Sequence, residues 1–426
     1  MNELALFGGP KTITESFARY NSIGTEEAVA VQEVMKSGVL SKFLGCWDAD
    51  FYGGEKVQAF EKAWAQYFDV KYAVTVNSNT SGIMAAIGAL GIEPGDEVIV
   101  SPWTMSATAT AILVWNGIPV FADIDRETFN LDPSSIEKRI TPLTKAIVVT
   151  DIFGQAAELD EIMEIAHRHG LKVIEDCAQA PGARYKGKYV GTIADIGVFS
   201  LNYHKHIHTG EGGVCVTNDA GFAERMQLIR NHAESVVGDK GVTNLSNMIG
   251  FNFRMTEIEA AIGIEQLKKL QSLVEERVYA ANRLSSGIVG LTGLTPPVVR
   301  QDCSHVYYVY PLLYDANLTG VVRDRIVEAL VAEGVSIGKG YVNLHLLPMY
   351  QRKQAYGTKG FPWSASFYKG SASYEKGICP VAESLNDDGY MAIGMCEYFY
   401  TDSQIDLIIH AFRKVWSNLK TLRQRT

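Results

Sequence analysis

The chain has 426 residues, too long for one ordinary compact domain, and its 47% hydrophobic and 20% charged composition is that of a protein with a large buried core. A net charge of −9 argues against a nucleic-acid binder, which needs a basic face. The six cysteines, at 46, 177, 215, 303, 379 and 396, include no CxxC pair, so neither a zinc ribbon nor a disulfide framework is suggested.

The opening stretch "MNELALFGGPKTITESF" lacks the basic-then-apolar layout of a signal peptide, and no apolar run has the length to span a bilayer. A cytoplasmic protein without membrane or nucleic-acid partners is expected. From about residue 70 to 220, short β-branched runs alternate with amphipathic stretches. "YAVTV", "DEVIV", "IPVFADI", "KAIVVTDI", "LKVIED" and "IGVFSL" read as strands. "SGIMAAIGAL", "SATATAILVW" and "ELDEIMEIAHRHG" read as the helices between them. Such alternation predicts an α/β fold, a mostly parallel sheet sandwiched by helices. "TEIEAAIGIEQLKKLQSLVEERVYAANRL" reads as a long helix. Beyond it, "HVYYVYPLLY" alternates like a half-exposed strand, "VRDRIVEALVAEG" reads as a helix, and "TDSQIDLIIHAFRKVW" starts with a capping box at Thr401 and Gln404. A large domain over 1–285, with its N-terminal arm, and a smaller α+β domain over 286–426 are therefore expected.

Ligands of open parallel sheets bind outside the carboxyl ends of the strands, and four features fall there. In "VNSNTSGIMAAIGAL" a strand ends at Val76 and a helix begins near Thr80, so Asn79, Thr80 and Ser81 could hold a phosphate or merely cap the helix. Asp176 closes the apolar strand of "VIEDCAQAPGARY", where a carboxylate needs a cationic or hydrogen-bonded partner. A pyridinium N–H would serve, and an ordinary turn cap is the alternative. "NYHKHIHTGEGG" places Lys205 in a loop after a strand, where burial would make its amine a nucleophile. His204, His206 and His208 could instead ligate zinc, although that leaves the intervening lysine unexplained. Asn252 and Arg254 lie in the polar lead-in "MIGFNFRMTEIEAAI", which alone reads as a solvated loop.

With these stretches in order, the chain resembles the DegT/StrS family of pyridoxal-phosphate aminotransferases of fold type I, from about Gly24 to Gln266. The resemblance is carried by "GGEKVQAFEKAWAQYF", "GIEPGDEVIVSP", "ATATAILVWNGIPVFADID", "LDPSSIEKRITPLTKAI", "VIEDCAQAPGA", "FSLNYHKHIHTGEGGVCVTND" and "GFNFRMTEIEAAIG". It implies pyridoxal 5'-phosphate as cofactor and no metal. Lys205 would be the lysine that joins the cofactor and later moves the proton. Asp176 would pair with the pyridine nitrogen and Gln179 would lie by the ring hydroxyl. Asn79, Thr80 and Ser200 would bind the phosphate, and Asn252 would reach a neighbouring subunit's phosphate in a homodimer with shared active sites. The implied reaction moves nitrogen from glutamate or glutamine to a keto group of a sugar, nucleotide-sugar or sugar-like acceptor.

The chain departs from the family pattern at several points. Met105 stands where an aromatic usually covers the ring, with Trp103 two residues earlier, so either could take that place. Asp151 and Pro181 replace common histidines. The end "MAIGMCEYFYTD" looks closer to relatives acting on cyclitols or non-nucleotide substrates. "GKGYVNLHLLPMY" resembles a stretch near the substrate, which makes Lys339 and His345 candidates there. The rival readings are a deoxysugar dehydratase or lyase on the same cofactor, a non-catalytic ligand-sensing protein, and a metal protein using the histidines.

Overall fold

A computed structural model describes residues 3–424. Its main sheet contains β1 (Tyr72–Val76), β2 (Glu97–Val100), β3 (Ile118–Phe121), β4 (Thr144–Thr150), β5 (Lys172–Asp176), β8 (Ile196–Ser200) and β9 (Gly213–Thr217), while β6 (Arg184–Tyr185) and β7 (Lys188–Tyr189) form a small separate hairpin. The order across the main sheet is β1-β9-β8-β5-β4-β2-β3. Only β9 runs against its neighbours, pairing antiparallel with both β1 and β8. The other pairings are parallel, so β4, β5 and β8 end at the same edge. Nearly every residue of these strands is buried, which is why they read as continuous apolar runs rather than alternating ones.

Helices cover both faces: α1 (Thr25–Ser37), α2 (Glu55–Phe68), α3 (Asn79–Leu90), α4 (Ser106–Val114), α5 (Pro133–Arg139), α6 (Leu159–His169), α7 (Ala220–Arg230), α8 (Ala233–Lys240) and α9 (Glu257–Ile288). Helix α6 ends on Gly170 at φ 65, the left-handed conformation that glycine adopts without strain. At α3 the structure differs from the expected cap. Ser78 is the cap residue, accepting from the Ser81 N–H at 3.1 Å, so Asn79 becomes the first helical residue and its side chain is released.

Helix α9 runs unbroken to Ile288, through the position at which the domains were expected to divide. Beyond it lies a second sheet of β10 (Leu294–Thr295), β11 (Val309–Tyr314), β12 (Gly338–Lys339) and β13 (Tyr390–Gly394), in the order β10-β11-β13-β12. Strand β11 begins later than the alternation of "HVYYVYPLLY" suggests, because Tyr307 holds φ 50 and breaks the extended run. The helices Arg323–Glu333 and Asp402–Ser417 pack on this sheet, the latter starting with the expected Thr401/Gln404 capping box. Leu344, Tyr350, Trp363 and Tyr374 lie between these elements in sequence, yet they join the hydrophobic cluster of the large sheet.

Candidate active site

The carboxyl edge of β5 and β8 opens on a cavity of about 220 Å³, lined among others by Asn79, Thr80, Asp176, Gln179, Ser200 and Lys205. Asp176 ends β5 with 2% of its surface exposed and three hydrogen bonds arranged around its carboxylate. Oδ1 accepts from Asn79 Nδ2 and from the Ala178 N–H, both at 3.2 Å, and Oδ2 accepts from the Thr108 hydroxyl at 2.8 Å. Burial raises the acid's pKa, and these donors, with the Lys205 charge, oppose that rise. Behind Thr108 stands a row of hydroxyls: Thr104 lies 2.9 Å from it, and Thr150 donates to Thr104 at 3.1 Å. Thr108 has one hydroxyl proton and gives it to Asp176, so Thr104 must donate to Thr108. The row thus has a fixed direction, toward the carboxylate.

Lys205 reaches the same cavity from the loop between β8 and β9. The loop is closed by Leu201 N–H to Gly212 O at 2.9 Å and Thr209 N–H to Leu201 O at 3.0 Å, and Lys205 N–H donates to Asn202 O at 2.9 Å. Gly213 starts β9 directly beneath α3. A Cβ there would stand 2.8 Å from the Ser78 carbonyl carbon and 2.9 Å from Asn79 N, so only glycine lets the loop and the helix N-terminus meet. The lysine is 7% exposed, and its amine lies 4.1 Å from the centre of the Tyr308 ring. Burial pushes its pKa down to about 8 against the pull of Asp176 and Cys396. An amine in that range is partly unprotonated near neutrality, as a nucleophile or proton carrier requires.

The three histidines of this loop diverge. His204 stands at the cavity mouth, its pKa pushed down to about 4 by partial burial and the Lys205 charge. His206 is buried with Nε2 2.8 Å from Val306 O, a distance at which its N–H donates. His208 faces Gly210, whose N–H donates to Nδ1 at 3.3 Å. Among the described residues, the one cluster with metal-ligand proximity is Asp151, Glu175 and Cys177, and it contains no histidine. Its members are engaged otherwise: Asp151 accepts from the Ala157 N–H and the Cys177 thiol, and Glu175 accepts from the backbone of Gly191, Ile193 and Ala194.

The donor set of this cavity fits pyridoxal phosphate. It offers an amine, a buried carboxylate to face a ring N–H, and an anion site where the first N–H groups of α3 meet the hydroxyls of Thr80 and Ser200. The buried Oδ1 of Asn79 has no hydrogen-bond partner among the described residues. Gln179 Oε1 accepts from the Phe153 N–H at 2.9 Å, and the Gln179 side chain also hydrogen-bonds Tyr341.

Other expected residues sit elsewhere. Met105 lines the cavity and is 65% exposed, whereas Trp103 is fully buried behind it, donating from its indole to Asn343 Oδ1 at 2.6 Å and stacking on Phe129. Asn252 is exposed and outside the cavity lining, its Oδ1 accepting from Arg254 Nε at 2.8 Å. Lys339 is paired with Asp324, and His345 is buried against Glu383 at 2.9 Å, so neither enters the cavity. Among the lining residues that went unnoticed in the sequence are Thr104, Thr150, Tyr308 and Tyr341. The alternating run around Tyr308 and the stretch "GKGYVNLHLLPMY" around Tyr341 were the signals for two of them.

A model of the DegT/DnrJ/EryC1/StrS aminotransferase family matches residues 21–386. The spore coat polysaccharide biosynthesis protein SpsC of Bacillus subtilis (strain 168) is 36% identical over 86% of this chain and 92% of its own length. A putative L-glutamine:3-amino-2,3-dideoxy-scyllo-inosose aminotransferase of Streptoalloteichus tenebrarius is 32% identical over 99% of this chain and all of its own. The X-ray structure of an aminotransferase from Psychrobacter cryohalolentis superposes with a TM-score of 0.81 at 29% identity, covering 95% of this chain and 100% of that one.

Proposed function

The chain belongs to the DegT/DnrJ/EryC1/StrS aminotransferase family, and from that premise we propose that it carries an amino group from glutamine or glutamate to the keto group of a sugar or cyclitol, with pyridoxal phosphate held in the Lys205 cavity. The observation that carries this reading is the meeting of Lys205 and Asp176 in one enclosed space, an amine with a pKa of about 8 and a buried carboxylate fed by three donors. When bound, the cofactor supplies the electron sink and the temporary home for the nitrogen.

The chain's residues divide the remaining work. Asp176, whose carboxylate form is favoured by the donors Thr108, Asn79 and Ala178 against the cost of burial, would face the ring nitrogen and hold its proton. Lys205 would hold the cofactor, and its amine, with a pKa lowered to about 8, would take a proton from the donor's α-carbon and return one. Thr80, Ser200 and the N-terminus of α3 would hold the phosphate, and Gln179 would lie by the ring. Met105, which lines the cavity where Trp103 does not, would be the residue over the ring.

The proposed assembly is a homodimer. Its support is the exposed Asn252, beside a surface where Leu44, Trp47, Leu245 and Ile249 are 38% to 62% exposed; the partner's copy would complete the phosphate site. A cytoplasmic location is proposed from the six unpaired cysteines. No described helix is long and apolar enough to cross a membrane. The test is amino transfer from L-glutamine or L-glutamate to a keto-inositol by the purified protein with added pyridoxal phosphate, followed as amino product by mass spectrometry. Lys205→Ala should form none; product at the parent rate would overturn the assignment.

A further inference from the structure

Lys205 is carried by a loop without helix or strand, and the peptide after it is buried through Ile207. Buried backbone groups need partners. The loop's own backbone bonds close its ends and the turn before Lys205, whereas the His206 carbonyl and the His208 N–H are met from outside it. The Tyr20 hydroxyl donates to His206 O at 2.5 Å, across 186 positions of sequence. The His208 N–H donates to Gln266 Oε1 at 3.2 Å.

Both of these partners are themselves held. Tyr20 belongs to the N-terminal arm, which lies antiparallel against the segment after β13, with bonds from Tyr20 N–H to Glu397 O and from Phe399 N–H to Ala18 O, both at 3.0 Å. The Arg277 guanidinium lies 4.2 Å from the centre of the Tyr20 ring and is itself fixed, donating to Cys396 Sγ at 3.3 Å and to Leu273 O at 2.6 Å. Gln266, fully buried on α9, uses its whole amide. Its oxygen accepts from the Ser22 hydroxyl at 2.6 Å as well as from His208, and its nitrogen donates to Ser22 O at 2.9 Å and to Glu27 Oε1 at 2.8 Å. A carbonyl and a carboxylate only accept, so the amide has one orientation.

We propose that Tyr20 and Gln266 are positioning residues for Lys205: the arm and α9 hold the peptide that follows the lysine, so that its side chain stays in the Asp176 cavity before any cofactor arrives. The role rests on the reading of Lys205 as the lysine that holds the cofactor. A reacting group must be kept within about 0.5 Å of its productive place, and a loop does this only when its supports are rigid. Without the Tyr20 hydroxyl the buried His206 carbonyl loses its partner and turns toward water, taking the neighbouring Lys205 backbone with it.

The experiment compares the full chain with Tyr20→Phe, which keeps the ring under Arg277 and removes only the hydroxyl. Hydrogen–deuterium exchange of the cofactor-free parent should show residues 203–209 protected, and in Tyr20→Phe that stretch should exchange at least about 10-fold faster while strand β5 is unchanged. In the cofactor-loaded enzyme, Tyr20→Phe should lower kcat by about 10-fold and move KM by less than about 3-fold. A looser loop admits water to the amine and returns its pKa from about 8 toward 10.5, so the acid limb of the pH–rate profile should move to higher pH. A parent stretch that exchanges freely without cofactor, an exchange rate that Tyr20→Phe leaves alone, or an unmoved kcat and acid limb would overturn the proposal. A parent that forms no yellow band with pyridoxal phosphate would instead overturn the reading on which it rests.

Discussion

Replacing Lys205 by methionine should stabilise the cofactor-free protein. The folded chain holds this amine at about 8, against the ordinary 10.5, chiefly because burial penalises the charge. Below pH 8 the lysine is protonated in both folded and unfolded chains, and the fold carries the full penalty. Between 8 and 10.5 the unfolded chain binds the proton and the folded chain does not, so stability rises with pH through that window. The difference of about 2.5 in pKa corresponds to about 3 kcal/mol at 1.36 kcal/mol each. Lys205→Met removes the penalty and fills the space with a side chain of similar length. At pH 7 the variant should therefore exceed the parent by up to about 3 kcal/mol, or about 3 °C in Tm for a chain of this length. Differential scanning of both proteins, stripped of cofactor and at equal concentration, should show the gap at pH 7 and its disappearance near pH 10.5. A variant that melts no higher than the parent at pH 7, or a gap that stays constant with pH, would refute the claim that Lys205 is held there at the expense of stability.

Thr108→Val removes the shortest donor to Asp176 and should lower kcat/KM by about 10- to 100-fold. The loss raises the pKa of Asp176 further, so the acid limb of the pH–rate profile should move to higher pH; an unmoved limb would detach Thr108 from the mechanism. Tyr341→Phe deletes the hydroxyl that meets Gln179 and should cost about 2- to 10-fold in kcat with an unchanged melting temperature. Because the histidines of the Lys205 loop diverge, treatment with a chelator should leave activity untouched, and metal analysis that found stoichiometric zinc would contradict that geometry.

The sheet and its carboxyl edge were legible because each strand is a buried β-branched run with a turn or helix signal behind it. Asp176 and Lys205 stood out as charged residues at strand ends, where their chemistry needs explaining. The sequence could not show which side chain after β2 faces the cavity. Trp103 and Met105 are two residues apart, and the choice depends on a partner 240 residues away, Asn343, which draws the indole inward. The hydroxyl row from Thr150 through Thr104 to Thr108 was invisible for a similar reason, since it joins three separate segments. Tyr308 and Tyr341 come from the C-terminal part of the chain, where no spacing relates them to Lys205. Of the stretch around Lys339 and His345, the residue that lines the cavity is Tyr341, not either of the two singled out in the sequence.

The most direct test of the central claim is the visible absorption spectrum of the purified protein with pyridoxal phosphate, recorded before and after addition of L-glutamine or L-glutamate. The account predicts a yellow band that is absent in Lys205→Ala and that bleaches to the shorter-wavelength, aminated form of the cofactor when the amino acid is added. A protein that stays colourless with the cofactor, or a band that survives the loss of Lys205 and ignores both amino acids, would contradict it.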